Sequence, residues 1–310
     1  MFTIFPKMLL FRHMITALFM ALAMMFSALM PAVANDDLSN DATIIMYHRF
    51  GESNLPSTNI QLDVFDAHLQ AIRDEGWVVL PLADIVSRLK SGTPLPDKAM
   101  AITVDDAFTS VYTEAFPRLQ EYGYPFTLFI ATSSIDRGLN GYASWDQIRE
   151  MQAAGVEIGS QTHTHPHMHQ LTAESVRVEI ETSNARFQQE LGITPRYFAY
   201  PYGEYSPETR DIIKDMGFEA AFGQASGVAH ASIDAFEWPR FAFNESYGDV
   251  KRLKLAIDAK ALPITDMTGG DMVLDSNPPF LGFTVAEGHP LGAIRHPLDG
   301  PQLSWHHPPR

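Results

Sequence analysis

The feature that most constrains this chain is a regular exchange of short apolar runs and amphipathic helical segments between residues 43 and about 260. Thr43–Tyr47, Trp77–Leu80, Met100–Val104, Thr127–Ala131, Val156–Gly159, Tyr197–Tyr200 and Ala220–Phe222 are apolar and strand-length. They are too short for helices, and they lack the polar alternation of half-exposed strands, so they read as buried strands. Between them the period becomes helical. Asp63–Glu75 carries Phe65, Leu69 and Ile72 on one face and stops at Gly76, and a second helix covers Ala83–Leu89. Further helices are expected over 110–122, over 144–154 with Ser144 as cap, and over 172–191 before Gly192. Ser206-Pro207-Glu208 opens another, with a capping hydroxyl, a proline at the first position and an acid in the first turn. The last expected helix is Asp249–Lys260, and Trp238–Ala242 reads as a short strand or loop. Strand–helix alternation of this kind gives an α/β fold with a mostly parallel sheet, open or closed as a barrel. In such folds ligands and catalytic groups gather at the carboxyl ends of the strands.

Composition narrows the chemistry. The formal net charge of −15 opposes nucleic-acid binding, which depends on cationic side chains neutralising phosphate. The chain has no cysteine, so disulfides, thiolate metal sites and cysteine nucleophiles are excluded, and a metal would rely on His, Asp, Glu or water. Residues 1–34 read as a signal peptide: Lys7 and Arg12, an apolar run Met14–Met30, then Pro31-Ala32-Val33-Ala34 as a cleavage site. An uncleaved anchor is the alternative, and either places the folded part in the periplasm or cell envelope. Residues 43–265 form the expected domain, and 266–310 a Pro/Gly/His-rich appendage with one strand-like stretch, Phe280–Val285.

Several groups fall at expected strand ends. Asp105-Asp106 closes one strand; one carboxylate can hold a metal while the other acts as a base, or the pair can simply cap the next helix. Four of the twelve histidines, His163, His165, His167 and His169, lie within seven residues past another strand. Extended backbone would put the first three on one side, a donor set suited to zinc or a similar ion. A solvated polar loop is the plainer reading. Tyr200-Pro201-Tyr202-Gly203 makes a tight turn that can aim an N–H at an oxyanion. His48 ends the first strand, and Arg240 could orient a carboxylate, bind substrate or form a surface ion pair.

Together these segments resemble the polysaccharide deacetylase family with the NodB-homology fold, carbohydrate esterase family four. Thr103-Val104-Asp105-Asp106-Ala107 matches its T-F-D-D-G motif, Gln161-Thr162-His163-Thr164-His165-Pro166 its H-[ST]-x-x-H-P motif, and Ala199-Tyr200-Pro201-Tyr202-Gly203 its R-x-P-[YF]-G motif. Met46-Tyr47-His48-Arg49 resembles the envelope subgroup that deacetylates poly-N-acetylglucosamine. The resemblance implies a distorted (β/α) barrel and metal-dependent hydrolysis of N-acetyl groups on an N-acetylglucosamine glycan. It implies zinc, or else cobalt, nickel or iron, held by Asp106 and His165. It makes Asp105 the general base, His48 the general acid and the Tyr202 N–H an oxyanion donor. Three positions depart from the pattern. Gln161 stands where the first ligand histidine belongs, leaving Gln161, His163 or water as the third ligand. Ala199 replaces the motif arginine, whose place Arg240 could take, and Ala107 replaces a glycine and could narrow the approach to the metal. These departures leave two other readings open: a glycan-binding member with little or no activity, and an exported metal-binding protein.

Overall fold

The computed structural model describes residues 38–52, 54–262, 264–268 and 282–285. The expected signal segment and most of the expected appendage lie outside the described residues. Nine strands build the main sheet: the short strand Val78–Val79 and eight others, β1 (Asp41–Tyr47), β2 (Ala99–Asp105), β3 (Phe126–Ile130), β4 (Glu157–Ser160), β5 (Tyr197–Ala199), β6 (Ala220–Phe222), β7 (Ala229–His230) and β8 (Phe241–Ala242). Their order is β6-β5-β4-β3-β2-β1-β7, with β8 also on β1 and the short strand Val78–Val79 on the start of β2. All neighbours are parallel except β7, which runs antiparallel to the start of β1. The carboxyl ends of the parallel strands therefore share one edge.

The helices are α1 (Leu62–Asp74), α2 (Leu82–Ser91), α3 (Phe116–Tyr122), α4 (Thr132–Asp136), α5 (Trp145–Ala153), α6 (Ala173–Leu191), α7 (Pro207–Asp215) and α8 (Val250–Ile257). Ser144 caps α5 through a full capping box with Gln147, and Ser206 caps α7, as their sequences predict. The single helix expected over 110–122 is instead a π-helical turn, Val111–Ala115, running into α3. The short α4 is not signalled by periodicity, since five residues give too little pattern; its first amides bond instead to the carbonyls of Thr162 and His163. In the region expected as appendage, Gly282–Val285 pairs antiparallel with Ile264–Thr268.

The curl of the sheet is closed by residues 238–243. Trp238 bridges Phe222 of β6, and the Gly223 N–H donates to the Trp238 carbonyl. A few residues on, β8 pairs with Ile45–Met46 of β1, and the Phe243 N–H donates to the Met46 carbonyl. One strap thus hydrogen-bonds to β6, at one margin of the sheet, and to β1, near the other. Strand alternation then separates two faces. Ile44, Ala101, Phe129, Ala199, Phe222 and Trp238 form one buried cluster, into which α2 packs Ile85, Val86 and Leu89. Ile45, Tyr47, Ile102, Val104, Leu128 and Ile130 face the other way, into a cluster with residues of α1 and α5. The first face is crowded. A Cβ added at Gly159 would lie 2.3 Å from the ring of Phe129, which is itself fully buried.

Behind β1, α1 buries a histidine. His68 Nε2 lies 2.7 Å from the Gly248 carbonyl, which can only accept, so Nε2 carries the proton. Nδ1 then accepts the Tyr47 hydroxyl at 2.8 Å. Burial lowers the His68 pKa from 6.5 to about 4, against smaller opposing contributions from the Gly248 bond and Asp249. Tyr47 is pushed well above its usual range, again by burial.

Two outcomes follow. Gly159→Ala should lower the stability by roughly 1–3 kcal/mol, seen as a lower denaturant midpoint, because the Phe129 ring cannot retreat. The His68 pKa is lower folded than unfolded, so the unfolded chain binds the extra proton first. Its contribution is complete above pH 6.5 and is lost as pH falls towards about 4. Unfolding titrations should show on the order of 3 kcal/mol more loss over that window in the wild type than in His68→Gln.

Candidate active site

The site begins with unusual backbone. Among the described residues, six non-glycine residues have positive φ: Lys98, Asp106, Ala107, Thr162, His165 and Tyr202. Five of these follow β2, β4 or β5 at the shared edge. Left-handed backbone costs an L-residue on the order of 1–2 kcal/mol, so it persists only where neighbours hold it. Here the parallel ladder continues past the strands. The Asp106 N–H donates to the Phe129 carbonyl, Gln161 N–H to Ile130, and Tyr200 N–H to Phe222. The Thr162 hydroxyl accepts the His165 N–H at 3.0 Å. Ala107 turns its methyl into the core rather than over the site.

A cavity of about 230 Å³ opens at this edge, its lining including His48, Asp106, His165, Tyr202, Gln224 and Asn244. Asp106 Oδ1 and His165 Nε2 stand 3.6 Å apart. The Tyr202 ring lies edge-on to His165, with centroids 4.6 Å apart, and is half-exposed. Asn244 and Gln224 carry no sequence motif. Asn244 could have been found from register: β8 runs parallel beside β1, so the residues after it emerge next to His48.

Asp105, Arg240 and Gln161 do not line the cavity; all three are fully buried. Arg240 grips Asp105 with two parallel bonds, Nη1 to Oδ1 and Nη2 to Oδ2, each 2.8 Å. Nη1 also reaches the Thr103 hydroxyl, and Nε donates to the Gly223 carbonyl at 2.9 Å. The guanidinium lies 5.3 Å from the Phe129 ring centroid. Arg240 therefore orients the Asp105 carboxylate. Gln161 Nε2 is 3.5 Å from Asp105 Oδ2, while Gln161 Oε1 is buried without a partner. Such an orphan acceptor costs about 1–3 kcal/mol unless something fills it.

The histidines do not share one side. Positive φ at Thr162 and His165 breaks the alternation that extended backbone would have given. His163 Nδ1 meets the Thr132 hydroxyl at 2.8 Å and its backbone N–H donates to Glu179, and it does not line the cavity with Asp106 and His165. His167 and His169 turn to Glu204.

A divalent ion fits the remaining donors. Ligands bonded to one ion at roughly 2.0–2.2 Å sit about 3–4 Å from each other, which matches the Asp106–His165 spacing. Gln161, whose Nε2 reaches Asp105, adds a buried amide oxygen without a partner. Carboxylate, imidazole and amide oxygen make a harder set than two histidines and an aspartate, admitting manganese, iron or cobalt beside zinc.

Comparison with known proteins agrees with this architecture. The polysaccharide deacetylase family model matches residues 92–221. YxkH of Bacillus subtilis (strain 168), which carries a provisional polysaccharide deacetylase name, is 28% identical over 186 residues, covering 60% of this chain and 65% of that one. The poly-β-1,6-N-acetyl-D-glucosamine N-deacetylase of Escherichia coli (strain K12) is 25% identical over 248 residues, covering 66% of this chain but only 37% of the relative. The structure of the Streptococcus pyogenes deacetylase PplD, in complex with acetate, superposes with a TM-score of 0.65 at 24% identity over 71% of this chain and 99% of that one. The chain thus spans under two thirds of the curated relatives named here. With its three motifs in order on the edge of a curled, mostly parallel sheet, the chain has the NodB-homology fold and is similar to the polysaccharide deacetylase family over residues 92–221.

Proposed function

We propose that the protein is a metal-dependent N-deacetylase of N-acetylglucosamine-containing glycans, acting in the periplasm or cell envelope after export. One observation carries the reading: Asp106, His165 and His48 line one cavity, directly beside an Asp105 carboxylate clamped by Arg240. The names of the relatives supply the substrate class.

Asp106, His165 and the Gln161 amide oxygen would hold the divalent ion. When bound, the ion supplies Lewis acidity, polarising an acetyl carbonyl and acidifying water. The chain's own groups do the rest. Asp105 takes the proton of the attacking water, and its pairing with Arg240 fixes the orientation of its carboxylate. The Tyr202 N–H, on its left-handed turn, stabilises the oxyanion. His48 gives a proton to the departing amine, so acetate and a free glucosamine amine leave. The exposed ring of Tyr202 offers a flat apolar face against which a sugar can lie.

A second reading is favoured by Gln161. Its Nε2, rather than a metal-ligating nitrogen, is turned to Asp105. A neutral amide holds a divalent ion less firmly than imidazole. The second reading is a member that binds glycan but turns it over slowly.

Acetate release from N-acetylglucosamine oligomers tests the first reading. Asp105→Asn should reduce it by about 10²–10⁴-fold, and chelation should abolish it. Release that survives both changes would exclude the mechanism. Gln161→His should tighten metal binding by at least about tenfold and raise turnover at low metal. If wild type binds oligomers without releasing acetate and only Gln161→His releases it, the second reading holds.

A further inference from the structure

Outside the cavity, three side chains converge from two loops. His167 precedes and His169 lies within the turn Met168–Gln170 after β4, and Glu204 ends the turn Pro201–Gly203 after β5. One donor atom from each lies within 4.8 Å of the others. Both imidazoles meet the same carboxylate oxygen: His167 Nδ1 is 2.7 Å and His169 Nδ1 3.2 Å from Glu204 Oε2. Met168 sets this up. It is fully buried among Val176, Ile180 and Phe198, so the residues on either side of it are both turned outward. The imidazole of His167 also stacks on Tyr202, with centroids 4.1 Å apart and planes 13° from parallel.

We propose that His167, His169 and Glu204 form a second divalent transition-metal site, distinct from the Asp106–His165 pair. Two imidazoles and one carboxylate are a donor set for zinc, nickel, cobalt or iron, with the outward side left for water. The ion would replace one hydrogen bond and one close contact to a single carboxylate oxygen with bonds to all three groups. It would tie the loop that carries His165 to the loop that carries Tyr202, and so brace the aromatic wall of the cavity. His167 links the two directly, since one of its faces lies on the Tyr202 ring.

Zinc stoichiometry and affinity, measured by equilibrium dialysis on the full chain, test this without reference to activity. Wild type should hold one more equivalent at micromolar free zinc than either His167→Ala or Glu204→Gln, and Asp106→Ala should keep that equivalent. If wild type binds a single equivalent that is lost in His167→Ala but kept in Asp106→Ala, the rim site stands and the cavity site fails. The proposal is overturned if His167→Ala and Glu204→Gln both retain the wild-type stoichiometry and affinity. It is equally overturned if the extra equivalent binds only at millimolar zinc. All three residues are at the surface, and an unchanged circular dichroism melt confirms that the variants are folded.

Discussion

The structure depends on one ion pair, Asp105 with Arg240. Asp105 ends β2 in the middle of the sheet, and Arg240 sits on the strap that joins β6 to β1. Neither side chain reaches solvent. A buried pair is weak evidence of net stability, because desolvation offsets most of the attraction; losing one partner, however, costs about 3–5 kcal/mol. The arginine is also bonded to Thr103 and Gly223, so strap, central strand and β6 meet at one guanidinium. Closure of the curled sheet and orientation of the proposed base are thus a single interaction. A lysine could not reproduce it, lacking the planar fork that matches both carboxylate oxygens.

That pair also accounts for the layered site. Below lie groups with no freedom: Asp105, Arg240 and Gln161. Above lie groups open to a substrate: His48, Asp106, His165 and Tyr202. The strained backbone belongs to the upper layer. Each left-handed residue there follows a strand whose ladder runs on into the loop, so the sheet itself holds Asp106, His165 and Tyr202 in conformations they would otherwise leave. Rigid strands beneath and short strained turns above are what a preorganised hydrolytic site needs.

Much of this was legible in the sequence, and the reasons differ by element. The strands were readable because seven short apolar runs have no other place to go than a doubly covered sheet. Ser144 and Ser206 marked their helices because capping is local chemistry. The Asp pair and His165 were placed by motif and strand end together. The fate of the histidines was not legible, since alternation assumes extended backbone and two positive φ angles break it. Nor was α4, too short to show a period, or Asn244, which reaches the cavity through register alone. Arg240 was readable as a carboxylate partner but not as the closing point of the barrel. That role depends on pairings at both ends of the strap, which no local pattern encodes.

Gln161 is where sequence and structure together make the sharpest claim. Its amide oxygen is a buried acceptor without a partner, next to Asp105 and at the position where the resemblance puts a histidine ligand. We propose that this oxygen completes a divalent site with Asp106 and His165. A crystal structure of the zinc-soaked protein with anomalous scattering at the zinc edge tests it most directly. The predicted result is an ion between Asp106 Oδ1 and His165 Nε2, with the Gln161 oxygen at bonding distance. An ion ligated by His163, or no ion between Asp106 and His165 at full occupancy of the rim, would contradict it.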